Sequence, residues 1–525
     1  MTHDLQLRLD PRTAATDMLL TAEVSRIIDI DANRIKSIQT LKRSIDARQK
    51  KVMVMLTVRV WVDEQPPTRI FDAETSYSPI PDNAPTCIIV GAGPAGLFAA
   101  LRLIERNIKP IILERGKDVD SRRLDMAAIA RRAEVNPDSN YCFGEGGAGA
   151  YSDGKLFTRS KKRGSVDHIL EILHMHGAKA EILSDAHPHI GTDRLPEVIK
   201  AIRKTIIRCG GEVHFSTKVT DLIIDGGNAT GAITANGKTF LGPVILATGH
   251  SARDVYKMLV ANSISLLPKG IAVGVRLEHP QDLIDRIRYH NPQGRGKFLP
   301  PAEYTMLTRV DNRAVYSFCM CPGGVIIPAA SSPGEMVVNG MSSSSRGGRW
   351  ANSGMVVEVL PEDIPDRPDG DPLKMMYFQQ QIEQTFFADR GDGTQNAPAQ
   401  RMTDFVAGRP SSSLPPTSYA PGIHPARIDL LLPPSIARRL QKGFEEFGRK
   451  NRGFLTDQAI LLGDETRTSA PVRIPRDAES LQHIDIAGLY PCGEGAGYAG
   501  GIVSAAVDGE RCAEAASTYI KQTAR

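Results

Sequence analysis

The first part of the chain, residues 1–80, shows hydrophobic patterns typical of a small α+β module. Residues 5–9 alternate between apolar and polar side chains as a short strand does, and residues 52–62 form a longer β-branched strand. Between them, residues 16–28 place apolar side chains at helical spacing, and residues 35–48 predict another strand. The expected order of elements is therefore strand, helix, strand, strand.

A basic run overlaps the second predicted strand. Residues 42–51 hold five Lys or Arg side chains and one Asp. We interpret the run as a solvated strand edge, and a face that binds a partner or nucleic acid is the alternative. The Pro-rich residues 78–85 then indicate a domain boundary.

The next segment predicts a strand, a glycine-rich turn, a helix and a second strand in close succession. Residues 87–90 are apolar and lead into the pattern G-x-G-x-x-G at 91–96. An apolar helix is predicted over 97–106, and the second strand, 110–113, ends at an acidic residue. This order of elements is that of a dinucleotide-binding unit.

Each glycine of the turn has a physical role in such a unit. Gly91 permits the tight turn, Gly93 lets the backbone approach a pyrophosphate, and Gly96 lets the helix pack closely on the strand. The helix N-terminus adds free N–H groups and the positive end of its dipole. The residues expected to hold the dinucleotide here are Gly91, Ala92, Gly93, Pro94, Ala95 and Gly96.

The acid that ends the second strand is Glu114, 23 residues after Gly91. An acid at this place accepts hydrogen bonds from an adenosine ribose. It also disfavours a 2′-phosphate, although Arg115 follows and is included among the expected contacts.

Two later segments extend the site. Residues 244–249 predict a buried strand that ends in Ala-Thr-Gly, after an antiparallel meander over 212–215, 219–224 and 231–235. Residues 488–502 predict a strand, a glycine turn with Gly493, the acid Glu494, a glycine pair and the start of a helix.

Together and in this order, the three motifs resemble the glutathione-reductase-type FAD-binding fold. The resemblance implies FAD as the cofactor, held at its pyrophosphate by residues 91–96 and at its ribose by Glu114. It places adenine at Val219, closes the AMP pocket with Thr248 and Gly249, and puts Glu494 at the ribityl or pyrophosphate end. It directs the N–H groups of Gly500, Gly501 and Ile502 at the N1/O2 edge of the flavin, where a helix N-terminus stabilises negative charge.

More of the chain resembles a narrower family of bacterial and plastid FAD-dependent dehydrogenases, which carry an N-terminal α+β module before the flavin domain. The resemblance covers nearly the full length and is weaker toward other bacterial flavoproteins and the geranylgeranyl reductases. It implies an oxidoreductase but names no substrate. The matching segments are residues 144–156, 189–195, 317–324, 339–354, 465–477 and 488–502.

A loop with five glycines, residues 144–155, is the first candidate for chemistry. In related flavoproteins such a loop passes the isoalloxazine ring, where Gly147 would allow close backbone approach. Lys155 is expected to stabilise reduced flavin beside Asp153, unless the two simply pair and anchor the loop. Arg467 is expected to orient a substrate or a nicotinamide, unless its segment is a turn satisfied by its own hydroxyl groups.

Other possible sites are weaker. Cys319 and Cys321 would share one face of a regular strand, but C-x-x-C and C-x-x-x-x-C spacings beside the flavin are missing, so small core residues are expected. No metal site is predicted. No second G-x-G-x-x-G follows a strand, so NAD(P)H, if it is the donor, would bind transiently at the flavin face or the cap.

The amino-acid composition excludes some classes of function but does not indicate a particular one. The 525 residues are 41% hydrophobic and 24% charged with a net charge of +4, which gives no general argument for binding nucleic acid. Seven sparse cysteines fit a reducing compartment, and neither a signal peptide nor a transmembrane segment is evident. We therefore expect a cytoplasmic enzyme with a small-molecule substrate.

The fold class predicted is α/β, a Rossmann-like FAD-binding domain with an inserted α+β cap domain and the N-terminal module. The expected domains are residues 1–80, the FAD-binding segments 82–262 and 455–525, and the cap 263–454. The function predicted is a reductase or dehydrogenase that transfers hydride through flavin N5 to or from an apolar or conjugated substrate. An FAD monooxygenase and an FAD-stabilised protein that binds RNA or another partner are the alternatives.

Overall fold

The computed structural model describes residues 1–67, 71–158, 164–364 and 370–523. Its strands are β1 (Thr2–Leu9), β2 (Ile35–Asp46), β3 (Met53–Val62), β4 (Thr86–Val90), β5 (Lys109–Leu113), β6 (Glu212–His214), β7 (Val219–Asp225), β8 (Asn228–Thr234), β9 (Thr239–Leu241), β10 (Val244–Leu246), β11 (Leu267–Pro268), β12 (Ile271–Pro280), β13 (Leu307–Val310), β14 (Arg313–Pro328), β15 (Val338–Met341), β16 (Trp350–Val359), β17 (Ala397–Arg401), β18 (Ile423–Pro425), β19 (Ile460–Glu465), β20 (Val472–Arg473) and β21 (Leu489–Pro491).

Helices connect and cover these strands. They are α1 (Pro11–Ala14), α2 (Asp17–Ile28), α3 (Ala73–Ser76), α4 (Pro94–Glu105), α5 (Arg122–Arg132), α6 (Val166–Met175), α7 (Leu195–Arg208), α8 (Arg253–Ala261), α9 (Gln281–Tyr289), α10 (Lys374–Ala388), α11 (Met402–Val406), α12 (Ile428–Leu431), α13 (Pro434–Lys450) and α14 (Ile502–Thr523). Single 3₁₀ turns lie at Ala32–Arg34, Gly147–Gly149, Ala180–Leu183 and Pro361–Asp363.

The N-terminal residues form an antiparallel sheet in the order β1-β3-β2. The central strand β3 alternates from Met53 to Val60, so Val54, Leu56, Val58 and Val60 are buried against α2 and the neighbouring strands. The helix contributes Val24, which is fully buried. The order strand, helix, strand, strand is the one that the hydrophobic pattern predicts.

A five-stranded parallel sheet, in the order β21-β10-β4-β5-β6, holds the glycine-rich motifs. All of its pairings are parallel, so the carboxyl ends of the strands lie at one edge. Helices α4 and α14 pack together on one face. The sheet thus gathers strands from three distant parts of the chain.

The short strand β6 lies where the sequence did not place it. Residues 212–215 were expected to begin the antiparallel meander, but β6 pairs in parallel with β5. The meander is instead β7-β8-β9, a separate antiparallel sheet. A strand of three residues is too short for alternation to distinguish the two arrangements.

A larger mixed sheet runs in the order β13-β14-β16-β12-β19-β17-β18, with β15 paired to β14. Helix α13 covers it with Leu440, Phe444 and Phe447, all of them buried. Strand β19 pairs with β12 and β17. The domain boundary expected at residue 454 therefore falls before β19, which is the last strand of this sheet in chain order.

Among the helices in the described ranges, none is both long enough and apolar enough to cross a membrane.

Candidate active site

A cavity of about 360 Å³ opens at the carboxyl edge of the parallel sheet. Strands β4, β5 and β10 end at its wall, and the large sheet closes it from the other side through β14. It brings together most of the residues that the sequence singles out. Those that line it are Gly91, Gly93, Pro94, Ala95, Glu114, Arg115, Gly147, Asp153, Lys155, Val219, Thr248, Gly249, Arg467, Glu494, Gly500, Gly501 and Ile502.

Three expected residues, Ala92, Gly96 and Gly493, lie behind the cavity wall. A Cβ on Gly96 would lie 2.0 Å from the carbonyl oxygen of Gly91, so this glycine lets α4 approach the turn. Gly493 donates its N–H to Asp508 Oδ2 at 2.8 Å and adopts a φ of +72°. All three act on the shape of the site rather than on its surface.

The first turn leaves room where a pyrophosphate is expected. Gly91 has a φ of +107°, and a Cβ there would lie 2.4 Å from the carbonyl oxygen of Ala247. A Cβ on Gly93 would meet only the Cα of Gly147, at 4.0 Å. Gly93 is also the N-cap of α4, which begins at Pro94. The helix N-terminus therefore faces open space.

Glu114 ties three loops together. Its buried carboxylate accepts hydrogen bonds from the N–H groups of Ala92 and Gly116, both at 2.8 Å, and of Gly144 at 3.0 Å. An ionised carboxylate has about four acceptor positions. Three are used within the chain, so about one remains for the ribose contact that the sequence predicts.

The glycine loop after α5 is held by a buried arginine. Arg122 is fully buried and donates to the carbonyl oxygens of Asn140 and Glu145, both at 2.7 Å, and of Gly147 at 3.1 Å. These bonds hold Gly147 close to Gly93. A Cβ on Gly147 would lie 3.3 Å from the Gly93 Cα. Arg122 could not be found from its local sequence, where it is one of several arginines.

Asp153 is bound by Arg346, which lies between β15 and β16 of the large sheet, rather than by Lys155. Arg346 donates Nε to Asp153 Oδ1 at 3.0 Å and Nη2 to Oδ2 at 2.5 Å, and its Nη1 binds Glu303. Lys155 Nζ lies 4.0 Å from Asp153 Oδ2. Both carboxylate oxygens of Asp153 are therefore bonded to Arg346, which favours a positioning role for Asp153. Lys155 is not needed for this contact and lines the cavity.

Arg467 belongs to a buried ion network that joins four segments of the chain. Its Nε donates to Glu383 Oε1 at 2.6 Å and its Nη2 to Glu335 Oε2 at 3.2 Å. Arg253, on α8, binds the same two glutamates at 2.8 Å and 3.0 Å. Burial raises the pKa of Glu383, but the two guanidinium groups outweigh it and hold that pKa at about 2.

The C-terminal motif contributes the start of α14. A Cβ on Gly500 or Gly501 would meet no atom within 4 Å, so both face open space. The N–H of Gly500 already donates to Ser504 Oγ at 3.1 Å. Burial raises the pKa of the neighbouring Glu494 to about 7, with Lys269 opposing and Cys319 adding to the rise.

A cluster of possible metal ligands lies behind this turn. One ligand atom each from Cys492, Asp508 and Cys512 lies within 4.8 Å of the others, and all three residues are buried. Arg476 fills the cluster, with Nη2 2.6 Å from Asp508 Oδ1 and Nη1 3.3 Å from Cys512 Sγ. A guanidinium in this position supports the Gly493 turn and opposes a cation.

Two unpaired polar atoms test whether FAD fits the cavity. Among the described residues, Thr248 Oγ1 and Arg467 Nη1 are buried without a hydrogen-bond partner, and both residues line the cavity. Buried polar atoms without partners are rare and call for a ligand or water. With the open faces of Gly93, Gly500 and Gly501, they fit a polar cofactor such as FAD.

The sequence did not identify several of the residues that line the cavity as part of the site. They are Cys142, Phe143, Phe157, His250, Phe318, Cys319 and Asn339. Burial lowers the pKa of His250 to about 4, with Arg467 and Lys269 adding to the effect, so this imidazole is neutral near pH 7. His250 directly follows the Ala-Thr-Gly motif and could have been found, whereas β14 reaches the cavity only through the fold of the large sheet.

Two family models match the chain. Residues 270–468 match the model described as FAD-dependent protein, C-terminal domain-like, and residues 1–61 match a domain of unknown function. A Clostridium beijerinckii protein, described as an uncharacterized protein, is 41% identical over 514 residues, which cover 94% of this chain and 95% of that one.

Solved structures are similar only loosely. A geranylgeranyl bacteriochlorophyll reductase-like protein from Thermoplasma acidophilum has a TM-score of 0.35 at 13% identity, covering 84% of this chain and 80% of that chain. Glycine oxidase from Bacillus cereus has a TM-score of 0.29 at 14% identity, covering 83% and 95%. Scores this low carry no argument about function.

The class of protein is that of the FAD-dependent oxidoreductases, with FAD as the cofactor. The chain belongs to the family of FAD-dependent proteins that share this C-terminal domain.

Proposed function

We propose that the protein is a reductase or dehydrogenase that transfers a hydride between the flavin and an organic substrate in the cavity above the parallel sheet. The observation that carries the proposal is that one cavity joins the glycine motifs of all three chain segments to the cations Lys155 and Arg467. FAD, when bound, supplies hydride acceptance and donation at N5.

The arrangement of the lining gives each end of the cofactor a place. The phosphates would lie at Gly93 and the N-terminus of α4, because that helix end offers N–H groups and positive potential. The adenosine would lie toward Glu114, Arg115 and Val219. Ion pairs to Asp138 and Asp254, at 2.6 and 2.8 Å, hold the Arg115 side chain in this position.

The isoalloxazine ring would lie at the opposite end, between the glycine loop and the start of α14. Gly149 and Ile502 are in contact there, since a Cβ on Gly149 would lie 3.2 Å from the Ile502 side chain. The N–H groups of Gly501 and Ile502, with the dipole of the 22-residue α14, would stabilise negative charge on the reduced ring. Lys155 would add a full positive charge at the same edge.

The substrate would take the remaining wall. Phe157 and Phe318 supply apolar surface, and Asn339 supplies polar contacts. A flat or conjugated molecule with a carbonyl oxygen fits this combination, because the aromatic side chains contact its body and the Asn339 amide can donate a hydrogen bond to its oxygen. This composition favours the apolar or conjugated substrate that the family resemblance leaves unnamed.

The basic run of the N-terminal sheet gives little support to the RNA-binding alternative. Arg48 pairs with Asp46 at 2.8 Å, and the backbone of Arg43 is bonded to Ser184 and Ala186. These contacts turn part of the run toward the protein itself. Localisation in the cytoplasm stays a prediction.

The proposal is tested by anaerobic stopped-flow reduction of the yellow holoprotein with NADH and with NADPH. Rapid bleaching by either nucleotide supports a pyridine-nucleotide-dependent enzyme, and admission of oxygen then separates slow reoxidation, expected of a reductase, from the fast, substrate-hydroxylating reaction of a monooxygenase. If neither nucleotide bleaches the flavin, conjugated organic acids and alcohols are tried as hydride donors. A flavin that no nucleotide or organic donor reduces contradicts the proposal.

A further inference from the structure

Two thiols lie close to the cavity where β14 passes it, one at its surface and one behind it. Cys319 lines the cavity and is half-buried, and Cys321 is fully buried behind it. The Cys321 thiol donates to the carbonyl oxygen of Cys319 at 3.4 Å. The sequence analysis took both residues for core packing, and this placement beside the proposed flavin position changes that interpretation.

The strand is irregular at this point. Phe318 pairs with Gly354 and Cys321 pairs with Asn352, so β14 carries one extra residue there, as a β-bulge does. Cys319 adopts a φ of +47°, in the left-handed region that side chains other than glycine and asparagine rarely occupy. Backbone strain of this kind concentrates at functional sites. The bulge redirects the Cys319 side chain toward the cavity.

A buried arginine holds the bulge. Arg276 is fully buried and donates Nη2 to the Cys319 carbonyl oxygen at 3.0 Å, and the same nitrogen lies 3.5 Å from Cys321 Sγ. Its Nη1 is bound by Glu465 at 3.0 Å. The two cysteines therefore share one cation, which fixes their backbone and contributes positive charge beside both sulfurs.

The charges around the pair favour one thiolate. The pKa of Cys319 is lowered by its interaction with the Cys321 side chain, against the effect of burial; the positive charges of Lys155 and Arg276 add to the decrease and Asp153 opposes it. The pKa of Cys321 is raised by its interaction with the Cys319 side chain and by burial. Burial raises the pKa values of the nearby carboxyl groups of Glu465 and Glu494, and the negative charge of Cys319 adds to the rise.

We propose that Cys319 and Cys321 are a redox-active dithiol of this cavity, with Cys319 as the cavity-facing thiolate and Cys321 as the resolving thiol. In oxidation, the two sulfurs form one S–S bond and the S–H bond of Cys321 breaks. The pair gives up two electrons and one proton, which FAD takes up as FADH⁻, so charge and atoms balance. Reduction of the disulfide is the reverse. Only the role of FAD as the electron acceptor rests on the proposed function.

The bond itself is tested on the wild-type holoprotein. The protein is oxidised with glutathione disulfide, the remaining thiols are alkylated, and the peptides are analysed by mass spectrometry. We expect a linkage between Cys319 and Cys321 in the wild type and in Cys142→Ser, a matched control at another cavity-lining cysteine. No such linkage in either protein would overturn the proposal.

The unequal roles are tested by alkylation rates. The pH midpoint for modification of Cys319 by iodoacetamide should lie clearly below that of an ordinary thiol, because the pKa of Cys319 is lowered, and Cys142 serves as the internal reference. Cys321→Ala should slow modification of Cys319 at pH 6, because the side-chain interaction that lowers the Cys319 pKa is lost. A midpoint near the ordinary thiol value of about 8.5 would overturn the thiolate assignment.

The link to FAD is tested by counting electrons in an anaerobic dithionite titration. The oxidised wild type should take up twice as many electrons per flavin as Cys319→Ser, because the disulfide and the flavin each accept a pair. Equal uptake would overturn the dithiol as an electron carrier. These readouts need neither a nucleotide nor a substrate, so their failure is distinguishable from failure of the proposed reductase reaction.

Discussion

Arg346 binds Asp153 through both carboxylate oxygens, at 3.0 and 2.5 Å, although 193 residues separate them in sequence. The pair joins the glycine loop to the segment that follows β15. Both side chains are almost fully buried, at 7% and 1% exposure. This contact sets the distance between the Lys155 loop and the wall formed by the large sheet.

Asp153→Asn should therefore destabilise the protein. Removing the Asp153 charge leaves the buried Arg346 with Glu303 as its carboxylate partner, and breaking a buried ion pair costs up to about 3–5 kcal/mol of unfolding free energy. Urea unfolding followed by far-UV circular dichroism measures the loss. Asp193→Asn is a matched control, because Asp193 binds Ser344 in the same region but is 44% exposed, and its loss should cost less than about 1 kcal/mol. Equal costs for the two variants would refute the structural role of the pair.

A second prediction concerns Glu383, which neutralises Arg253 and Arg467. Because its pKa in the folded protein is lowered to about 2 from 4.5, it contributes stability that is present above about pH 4.5 and is lost as pH falls toward 2. Glu383→Gln should cost about 3–5 kcal/mol at pH 7. The difference in unfolding free energy between Glu383→Gln and the wild type should become smaller when the unfolding experiment is repeated below pH 4.5.

Glu362→Gln provides the comparison for that experiment. Glu362 is 66% exposed and lies 3.5 Å from Arg313, so its neutralisation should leave stability nearly unchanged at every pH. A gap between Glu383→Gln and wild type that is constant between pH 7 and pH 3 would show that the carboxylate charge is not what stabilises the network.

Thr248 gives a prediction about cofactor binding. Its buried Oγ1 has no partner among the described residues, so removing the hydroxyl costs the protein alone nothing. Thr248→Val should keep the stability of the FAD-free protein and weaken FAD binding by roughly tenfold, the equivalent of about one hydrogen bond. Thr248→Ser should retain tight binding. Fluorescence titration of the FAD-free protein with FAD measures both, and unchanged affinity in Thr248→Val would place FAD away from this hydroxyl.

The sequence predicted the parts of the site that depend on local pattern. The turn at Gly91, the acid Glu114 and the glycine pair before α14 each follow a short apolar strand, and parallel pairing brings such strand ends to one edge. These residues line a single cavity or lie directly behind it.

The remainder depends on contacts between distant segments. Arg346 reaches Asp153 only because the large sheet packs over the glycine loop, and no local spacing encodes that contact. The interpretation of Cys319 and Cys321 assumed a regular strand, whereas the bulge in β14 changes which way Cys319 points. Strand β6 was misplaced because its three residues carry no periodicity.

The central claim is that FAD lies against Gly93, and the FAD content of Gly93→Val tests it most directly. The Cβ of the valine finds no clash within the protein, since its one near neighbour is the Gly147 Cα at 4.0 Å, and the side chain would fill the space expected for the pyrophosphate. Gly347→Val, at an exposed loop glycine, is the control for folding. We predict a folded, colourless Gly93→Val protein beside a yellow wild type and a yellow control. A folded Gly93→Val protein with one FAD per chain would contradict this placement of the cofactor.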